Sequence, residues 1–365
     1  MTGNNRRYTK SIHVGTVKIG GGAPVIVQSM TSTDTRNVAA TVEQIERLEE
    51  TGCEIIRVAV PDRIAADAIP EIKKRIRIPL IADIHFDYRL ALLAVERGAD
   101  ALRINPGNTA RDNLGAVIKK ARERDVAIRI GINAGSLEKD ILAKYGGPTA
   151  SAMVESALRN VEFFEDHGFE AIKLSLKSSD VRTMIEAYRE IADKTPYPLH
   201  LGVTEAGGVM RSTIKSSVGL GVLLYEGIGD TIRVSITGDP VKEVSVAYGI
   251  LGALDLRRFG PDIISCPTCG RCEIDLPSLV EEVERRVAGM KEYVKIALMG
   301  CVVNGPGEAA EADIGIAGGR RQGLVFRKGV VVRKVKEDRL VDALMEELDA
   351  VIREKSSRTN GETNN

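Results

Sequence analysis

Four of the five cysteines in this 365-residue chain fall in one stretch: Cys266, Cys269 and Cys272 in CPTCGRC, and Cys301 in GCVVNGPGE. Two cysteines separated by two residues aim both thiolates at one metal centre. A third, brought back by a glycine-rich turn, closes the site, and this spacing suits an iron–sulfur cluster. A structural zinc is the alternative, but it more commonly uses two separate C-x-x-C knuckles, and here a single one is shared by three cysteines. The C-x-x-x-C-x-x-C spacing of radical enzymes that use S-adenosylmethionine is absent. After Cys301, the run Asn304, Gly305, Pro306, Gly307 makes a tight turn that returns Glu308 toward the cysteine. A carboxylate binds iron less tightly than a thiolate, so three cysteines and Glu308 would leave one iron exchangeable. On spacing alone, Cys272 serves equally well as the fourth ligand. The fifth cysteine, Cys53, reads as a small buried side chain.

The second group with chemical potential is a set of charges placed at every other residue of short apolar runs. In Ala171–Lys177, Lys173, Ser175 and Lys177 share one face, and Ile172, Leu174 and Leu176 share the other. The same alternation sets Arg57 between Ile56 and Val58, Asp83 and His85 around Ile84, and Arg103 and Asn105 around Ile104. It sets Arg129 and Asn133 around Ile130 and Ile132, and Arg233, Ser235 and Thr237 among Ile232, Val234 and Ile236, with Glu205 ending its own run. The apolar face must pack on outer helices, so the polar face points inward. Six inward cations (Arg57, Arg103, Arg129, Lys173, Lys177, Arg233) then meet two inward carboxylates, Asp83 and Glu205. Unpaired buried ions cost several kcal/mol each, so an anion must compensate them. Arginine clusters suit phosphate oxygens through bidentate bonds, which implies a phosphorylated, diphosphate-type substrate. Internal salt bridges are the competing explanation, most of all for Lys173. Glu205, in VTEAGG, is a candidate acid or an ion-pair partner, and His85 and Asp87 are placed to polarise a hydroxyl. His13, His167 and His200 read as structural or exposed.

These side chains need elements to hold them. From about residue 24 to 257, eight short β-branched runs alternate with stretches of helical spacing. The runs are Val25–Met30, Glu54–Val60, Pro79–His85, Ala101–Asn105, Ala127–Asn133, Ala171–Lys177, Leu199–Glu205 and Thr231–Thr237. Val38–Thr51 and Ser151–His167 exemplify the helices between them. Eight βα units close naturally into a TIM barrel, with an open doubly wound sheet as the rival. The rhythm breaks near Arg257–Pro261. A small α+β domain follows: a helix at Ser278–Met290, strands at Val294–Met299, Asp313–Ala317 and Leu324–Lys334, and a helix from Asp338 to about Arg353. The expected division is therefore 1–257 barrel, 258–354 cluster domain and 355–365 disordered tail.

Composition narrows the function. Lys plus Arg and Asp plus Glu number 51 each, which disfavours a coat for nucleic acid or anionic membrane. Six Phe, eight Tyr and no Trp make a base-stacking platform implausible. A hydrophobic share of 43% excludes wholesale disorder. No apolar run approaches the roughly 20 residues that span a bilayer, and no signal segment follows the polar start. The clustered thiols fit a reducing cytoplasm.

Several longer motifs carry a resemblance over nearly the whole chain. They are QSMTSTDT (Gln28–Thr35), LRINPGN (Leu102–Asn108), RIGINAGS (Arg129–Ser136), HLGVTEAGG (His200–Gly208), GIGDTIRVSITGDP (Gly227–Pro240), CPTCGR (Cys266–Arg271) and GCVVNGPGE (Gly300–Glu308). The chain resembles the bacterial 4-hydroxy-3-methylbut-2-enyl diphosphate synthases of the non-mevalonate isoprenoid pathway. The resemblance implies a TIM barrel followed by a domain like part of sulfite reductase, a [4Fe-4S] cluster and a homodimer in which one subunit's cluster domain caps the other's barrel. It implies cluster ligands Cys266, Cys269, Cys301 and Glu308. It implies a diphosphate held by Arg57, Arg103, Arg129, Lys177, Arg233 and Ser235, with Asn133 also in contact and Glu205 beside the reacting carbon–oxygen bond. The implied reaction is reductive ring opening of 2-C-methyl-D-erythritol 2,4-cyclodiphosphate, with electrons from reduced flavodoxin or ferredoxin. Cys272 departs from the family pattern and reads as a non-ligand neighbour. A zinc-dependent hydrolase or aldolase on the same barrel is the alternative, and a simple electron carrier has no use for a phosphate clamp.

Overall fold

The computed structural model describes residues 6–106, 110–301 and 311–362. They form two compact units, Met1–Arg257 and Arg258–Asn365.

The first unit opens with a hairpin of β1 (Ile12–Val14) and β2 (Val17–Ile19). Eight parallel strands follow: β3 (Ile26–Met30), β4 (Ile55–Ala59), β5 (Leu80–Ile84), β6 (Ala101–Ile104), β7 (Ala127–Asn133), β8 (Ile172–Lys177), β9 (His200–Leu201) and β10 (Thr231–Ile232). Each pairs with its sequence neighbour from β3 to β8, and β9 pairs with β10, which pairs with β3. A bridge between Leu174 and Leu199 closes the ring. Followed strand to strand, the register of Gln28 runs through Ile55, Pro79, Ala99, Asp125, Phe169, Lys194 and Tyr225. It returns to the first strand at Gly20, eight residues before Gln28, the shear of a TIM barrel.

Helices α1 (Val38–Glu50), α2 (Arg63–Lys73), α3 (Tyr88–Glu96), α4 (Arg111–Glu123), α5 (Lys139–Tyr145), α6 (Ala150–Asp166), α7 (Val181–Lys194), α8 (Val209–Tyr225) and α9 (Val241–Ala253) surround the strands. Side-chain caps begin many of them. Asn37, Asp62, Asp87, Thr149 and Asp180 each accept a hydrogen bond from a first-turn N–H. The apolar strand face packs under these helices, with Ile56, Val58, Leu102, Ile130, Leu174 and Leu176 all fully or almost fully buried. The hairpin seals the N-terminal end of the barrel. Its Ile12, Val14 and Ile19 pack on Ile26, Ile55, Ile81, Ala101 and Ala127 at the strand starts.

The two last barrel strands are shorter than the sequence pattern suggests. Beyond Arg233, whose N–H still donates to Leu201 O, the backbone finds other partners. Ile236 N–H donates to the Glu243 carboxylate and Thr237 N–H to Gly207 O, so the run leaves the sheet and Thr237 is exposed.

The second unit is a five-stranded sheet in the order β11 (Asp262–Ser265), β12 (Lys295–Met299), β13 (Ile314–Gly319), β14 (Gln322–Arg327), β15 (Val330–Lys336). The first three strands are parallel and the rest antiparallel. Leu324–Lys334, expected as one strand, is a hairpin, because Lys328 and Gly329 both take positive φ and turn the chain. Helix α10 (Leu276–Val287), capped by Asp275, and α11 (Leu340–Glu362) complete the unit. Leu279, Val283, Val287, Leu340, Leu344 and Leu348 meet Ile296, Leu298, Ile314 and Ile316 in its core. The segment expected as a disordered tail continues α11 to Glu362, with Lys355 Nζ donating to Tyr293 O and Asp313.

Among the described residues, no helix is long and apolar enough to cross a membrane.

Candidate active site

The barrel interior holds the charges that strand alternation assigned to it. Arg57, Asp83, Arg103, Arg129, Lys173, Ser175 and Lys177 are all buried, on β4, β5, β6, β7 and β8. Asp83, Arg103, Arg129 and Lys173 are register neighbours on four successive strands, and Asn133 is level with Lys177. Two glycines, Gly131 in β7 and Gly202 just after β9, make room for them. A Cβ at Gly131 would lie 2.8 Å from Arg103 Nε, and one at Gly202 would lie 2.6 Å from Lys177 Nζ.

Asp83 is the hub of the cationic group. Its carboxylate lies 3.5 Å from Arg57 Nε, 3.2 Å from Arg103 Nη1 and 3.5 Å from His85 Nε2. Burial alone would raise this carboxyl, but Arg57, the His85 hydrogen bond, Arg103 and Arg129 outweigh it and hold Asp83 well below the carboxylate range. Burial, then the neighbouring Arg233 and Arg103, bring Arg57 down to about 10 despite Asp83. Burial and the crowd of like charges likewise push Arg129 and Lys177 well below their ordinary values. With its amide oriented by its hydrogen bonds, Asn133 accepts from Arg103 Nη2 at 3.2 Å. Arg57 also donates to Met30 Sδ at 2.9 Å.

Sequence reasoning missed the residue that positions Arg233. Glu243, buried in the first turn of α9, accepts from Arg233 Nε at 3.2 Å and Nη2 at 3.1 Å, from Ser29 Oγ and from Ile236 N. A helical carboxylate ten residues away carries no strand periodicity, so alternation could not reveal it. Glu243 takes the interior place that the sequence had assigned to Glu205. Glu205 itself is exposed on the loop after β9, with φ +53°. A left-handed non-glycine residue costs of order 1 kcal/mol, a strain that recurs at functional sites. Hydrogen bonds from Thr204 N to Ser178 O and from Thr237 N to Gly207 O hold this loop at the C-terminal end of the barrel, the face where TIM-barrel active sites lie. Ser235, half-buried, follows β10 toward the same end.

One other expectation changes. Asp87 caps α3 through Arg89 N, so its role is structural, while His85 stands more than half exposed beside Asp83. His13 and His167 are exposed, but His200 is fully buried on β9, its Nδ1 2.8 Å from Thr231 Oγ1. Cys53 is buried, donates to Ile55 O, and is pushed up to about 12 by burial.

In the second unit, Cys266 follows β11 and Cys301 follows β12, neighbouring parallel strands that bring both to one end of the sheet. Gly300 N–H donates to Cys266 Sγ at 3.2 Å, which ties the two segments together. Cys269 is exposed in the intervening loop. The Cys272 thiol donates to Ile274 O and, like Cys266, packs against the apolar core of this unit. Glu308 and its turn lie outside the described residues. Thiols at one sheet end, with an N–H aimed at one of them, fit the donor set of an iron–sulfur centre.

Residues 9–248 match the GcpE TIM-barrel domain, and residues 262–350 match the GcpE protein C-terminal domain. The chain is 59% identical over 350 residues to the 4-hydroxy-3-methylbut-2-en-1-yl diphosphate synthase (flavodoxin) of Caldanaerobacter subterraneus, covering 96% of this chain and 99% of that one. It is 59% identical over 349 residues to the protein of the same name from Nitratidesulfovibrio vulgaris, covering 95% and 90%. Among solved structures, the Yersinia pestis dihydropteroate synthase with a sulfonamide drug aligns with a TM-score of 0.50 at 10% identity, covering 67% of this chain and all of that one, a likeness of fold alone. On the strength of both domain matches and near-complete alignment with these relatives, the chain belongs to the GcpE family of 4-hydroxy-3-methylbut-2-en-1-yl diphosphate synthases.

Proposed function

We propose that this chain catalyses the two-electron reductive ring opening of 2-C-methyl-D-erythritol 2,4-cyclodiphosphate to 4-hydroxy-3-methylbut-2-enyl diphosphate. The observation that carries this reading is the barrel interior: Arg57, Arg103, Arg129, Lys177 and Arg233 crowd around only Asp83 and Glu243, with Arg129 Nε and Nη1 and Arg103 Nε lacking any hydrogen-bond partner among the described residues. Such a pocket is complete only with an anion inside it. Arg57, Arg103, Arg129, Lys177 and Arg233 grip the diphosphate, Asn133 and Ser235 add neutral hydrogen bonds, and the rigid strands fix its orientation. The fixed charges also stabilise the phosphate oxygens as the ring opens. Glu205, on its strained loop at the barrel mouth, donates a proton to the departing oxygen.

Cys266, Cys269, Cys301 and Glu308 would hold a [4Fe-4S] cluster, which supplies single electrons and a Lewis-acidic iron when bound. Cys272 stays outside the ligand set. Reduced flavodoxin, named in the relatives, is the donor we favour, with ferredoxin as its equivalent. The enzyme works as a homodimer in the cytoplasm, where thiols remain reduced. The relatives lend no support to a zinc-dependent hydrolase or aldolase.

Anaerobic reconstitution with iron and sulfide, followed by assay with the cyclodiphosphate and a reduced carrier, tests the proposal. Brown protein that forms the linear diphosphate is the expected result. A colourless, zinc-loaded protein with full activity would overturn it.

A further inference from the structure

The barrel carries polar side chains deeper than the clamp requires. The strand register and the stagger of the barrel stack its inward residues in layers drawn from alternate strands. Arg57, Arg103, Ser175 and Arg233 form one layer. Gln28, Ile81, Arg129 and His200 lie below it, and Ile55, Ala101, Lys173 and Thr231 lie below those. Lys173, His200, Arg129 and Gln28 are each no more than 2% exposed. Among the described residues, Lys173 Nζ, His200 Nε2, two Arg129 nitrogens and both amide atoms of Gln28 have no hydrogen-bond partner.

The charges acting on Lys173 are unfavourable to an ammonium. Arg129, its register neighbour, and Arg57 repel it. Asp230 attracts it, but that carboxylate is engaged by Leu199 N, Thr9 Oγ1 and Arg6. Asp83 serves Arg57 and Arg103, and Glu243 serves Arg233. His200, which feels the Lys173 charge, brings no negative charge. An arginine cannot shed its proton in a protein, whereas a lysine can. The crowding is therefore relieved at lysine, not at arginine.

We propose that Lys173 is a neutral amine in the substrate-free enzyme and takes up a proton when a diphosphate enters the arginine clamp above it, so that substrate binding is coupled to proton uptake in the barrel floor. This rests on the diphosphate reading above. Burial, followed by the repulsion of Arg129, pushes the Lys173 ammonium well below its ordinary range, and burial does the same for His200. The negative charges that enter with the ligand reverse that balance. Lys173 thereby supplies long-range charge compensation without touching the reacting atoms.

Calorimetry of cyclodiphosphate binding to the anaerobically reconstituted full-length enzyme, in buffers of different ionisation enthalpy near neutral pH, counts the protons directly. The cyclic diphosphate is a suitable probe because its phosphates carry no proton that titrates near neutrality. Wild type takes up protons, and its affinity falls as pH rises. Lys173→Met lowers the count by about one proton while the ligand still binds. Lys177→Arg, which keeps its charge fixed, retains the Lys173-dependent uptake. Should Lys173→Met fail to fold, the pH dependence of wild-type and Lys177→Arg affinity decides the matter. Binding with no proton uptake, or an uptake unchanged in Lys173→Met, overturns this proposal and leaves the clamp standing. No binding by wild type overturns both.

Discussion

Gly131→Ala tests the clamp without removing a charge. A Cβ at this position would stand 2.8 Å from Arg103 Nε and 3.2 Å from Nη2, where ordinary contact begins near 3.4 Å. The guanidinium must therefore retreat by roughly half an ångström, since the strand backbone around it is packed on all sides. Arg103 can yield, because only the tip of a side chain is struck and Gly131 has no positive φ. Its contacts to Asp83 and Asn133 are both already 3.2 Å long, so the displacement breaks at least one of them. A hydrogen bond to a charged group contributes about 1.5–3 kcal/mol, which corresponds to an affinity loss of about ten- to a hundredfold. Calorimetric titration with the cyclodiphosphate measures it, and thermal unfolding reports the fold. We expect weak binding in a protein whose melting temperature moves by only a few degrees. Gly221→Ala, on α8 with nothing near its Cβ position, is the control: it keeps full affinity and gains about 0.5–1 kcal/mol of stability. Affinity in Gly131→Ala within twofold of wild type would show that Arg103 does not grip the ligand.

Three further outcomes follow from the same geometry. Glu243→Gln keeps the shape but drops the charge that holds Arg233, so KM rises about tenfold or more with a smaller change in kcat; an unchanged KM would remove Glu243 from the positioning of Arg233. Glu308→Ala alters the visible spectrum of the reconstituted cluster and abolishes turnover, whereas Cys272→Ser changes little; the reverse pattern would exchange their roles. In the substrate-free enzyme, Lys173, Lys177 and His200 bind protons less readily folded than unfolded. The unfolded chain therefore holds more protons below the ordinary lysine range, and stability rises as pH increases toward about pH 10. Saturating cyclodiphosphate should flatten the slope, and a melting temperature that falls from pH 7 to 9 without ligand would contradict the assignment.

Strand alternation revealed the interior charges because period two separates the faces of a strand without any knowledge of neighbours. Arg57, Asp83, Arg103, Arg129, Lys173 and Lys177 all obey it. Pairing is a different matter. That Asp83 serves two arginines, that Glu243 holds Arg233, and that Lys173 Nζ has no hydrogen-bond partner among the described residues depend on which strands and helices meet in space. His200 is buried and held by Thr231, in keeping with its structural reading, but which barrel layer it joins depends on the strand register. Glu205 was misplaced for a related reason: the run Leu199–Glu205 looks like one strand, but Gly202 and the left-handed turn at Glu205 end the pairing after Leu201. The cysteine spacing points to a metal centre, but spacing carries no depth information, so it does not choose among four thiols and Glu308.

The floor of the barrel is built from the beginning of the chain and fastened to its far side. Arg7 donates to the carbonyls of Ala192, Thr195 and Tyr197, and Thr9 donates to Asp230, so the segment leading into β1 is anchored on residues nearly two hundred positions downstream. A ribosome makes these residues long before β9 and β10, yet they settle only after those strands have emerged. The apolar strand starts that the hairpin covers therefore stay wet through most of synthesis. Nascent chains stalled before Asp230 should depend on chaperones for that reason, whatever their active-site residues.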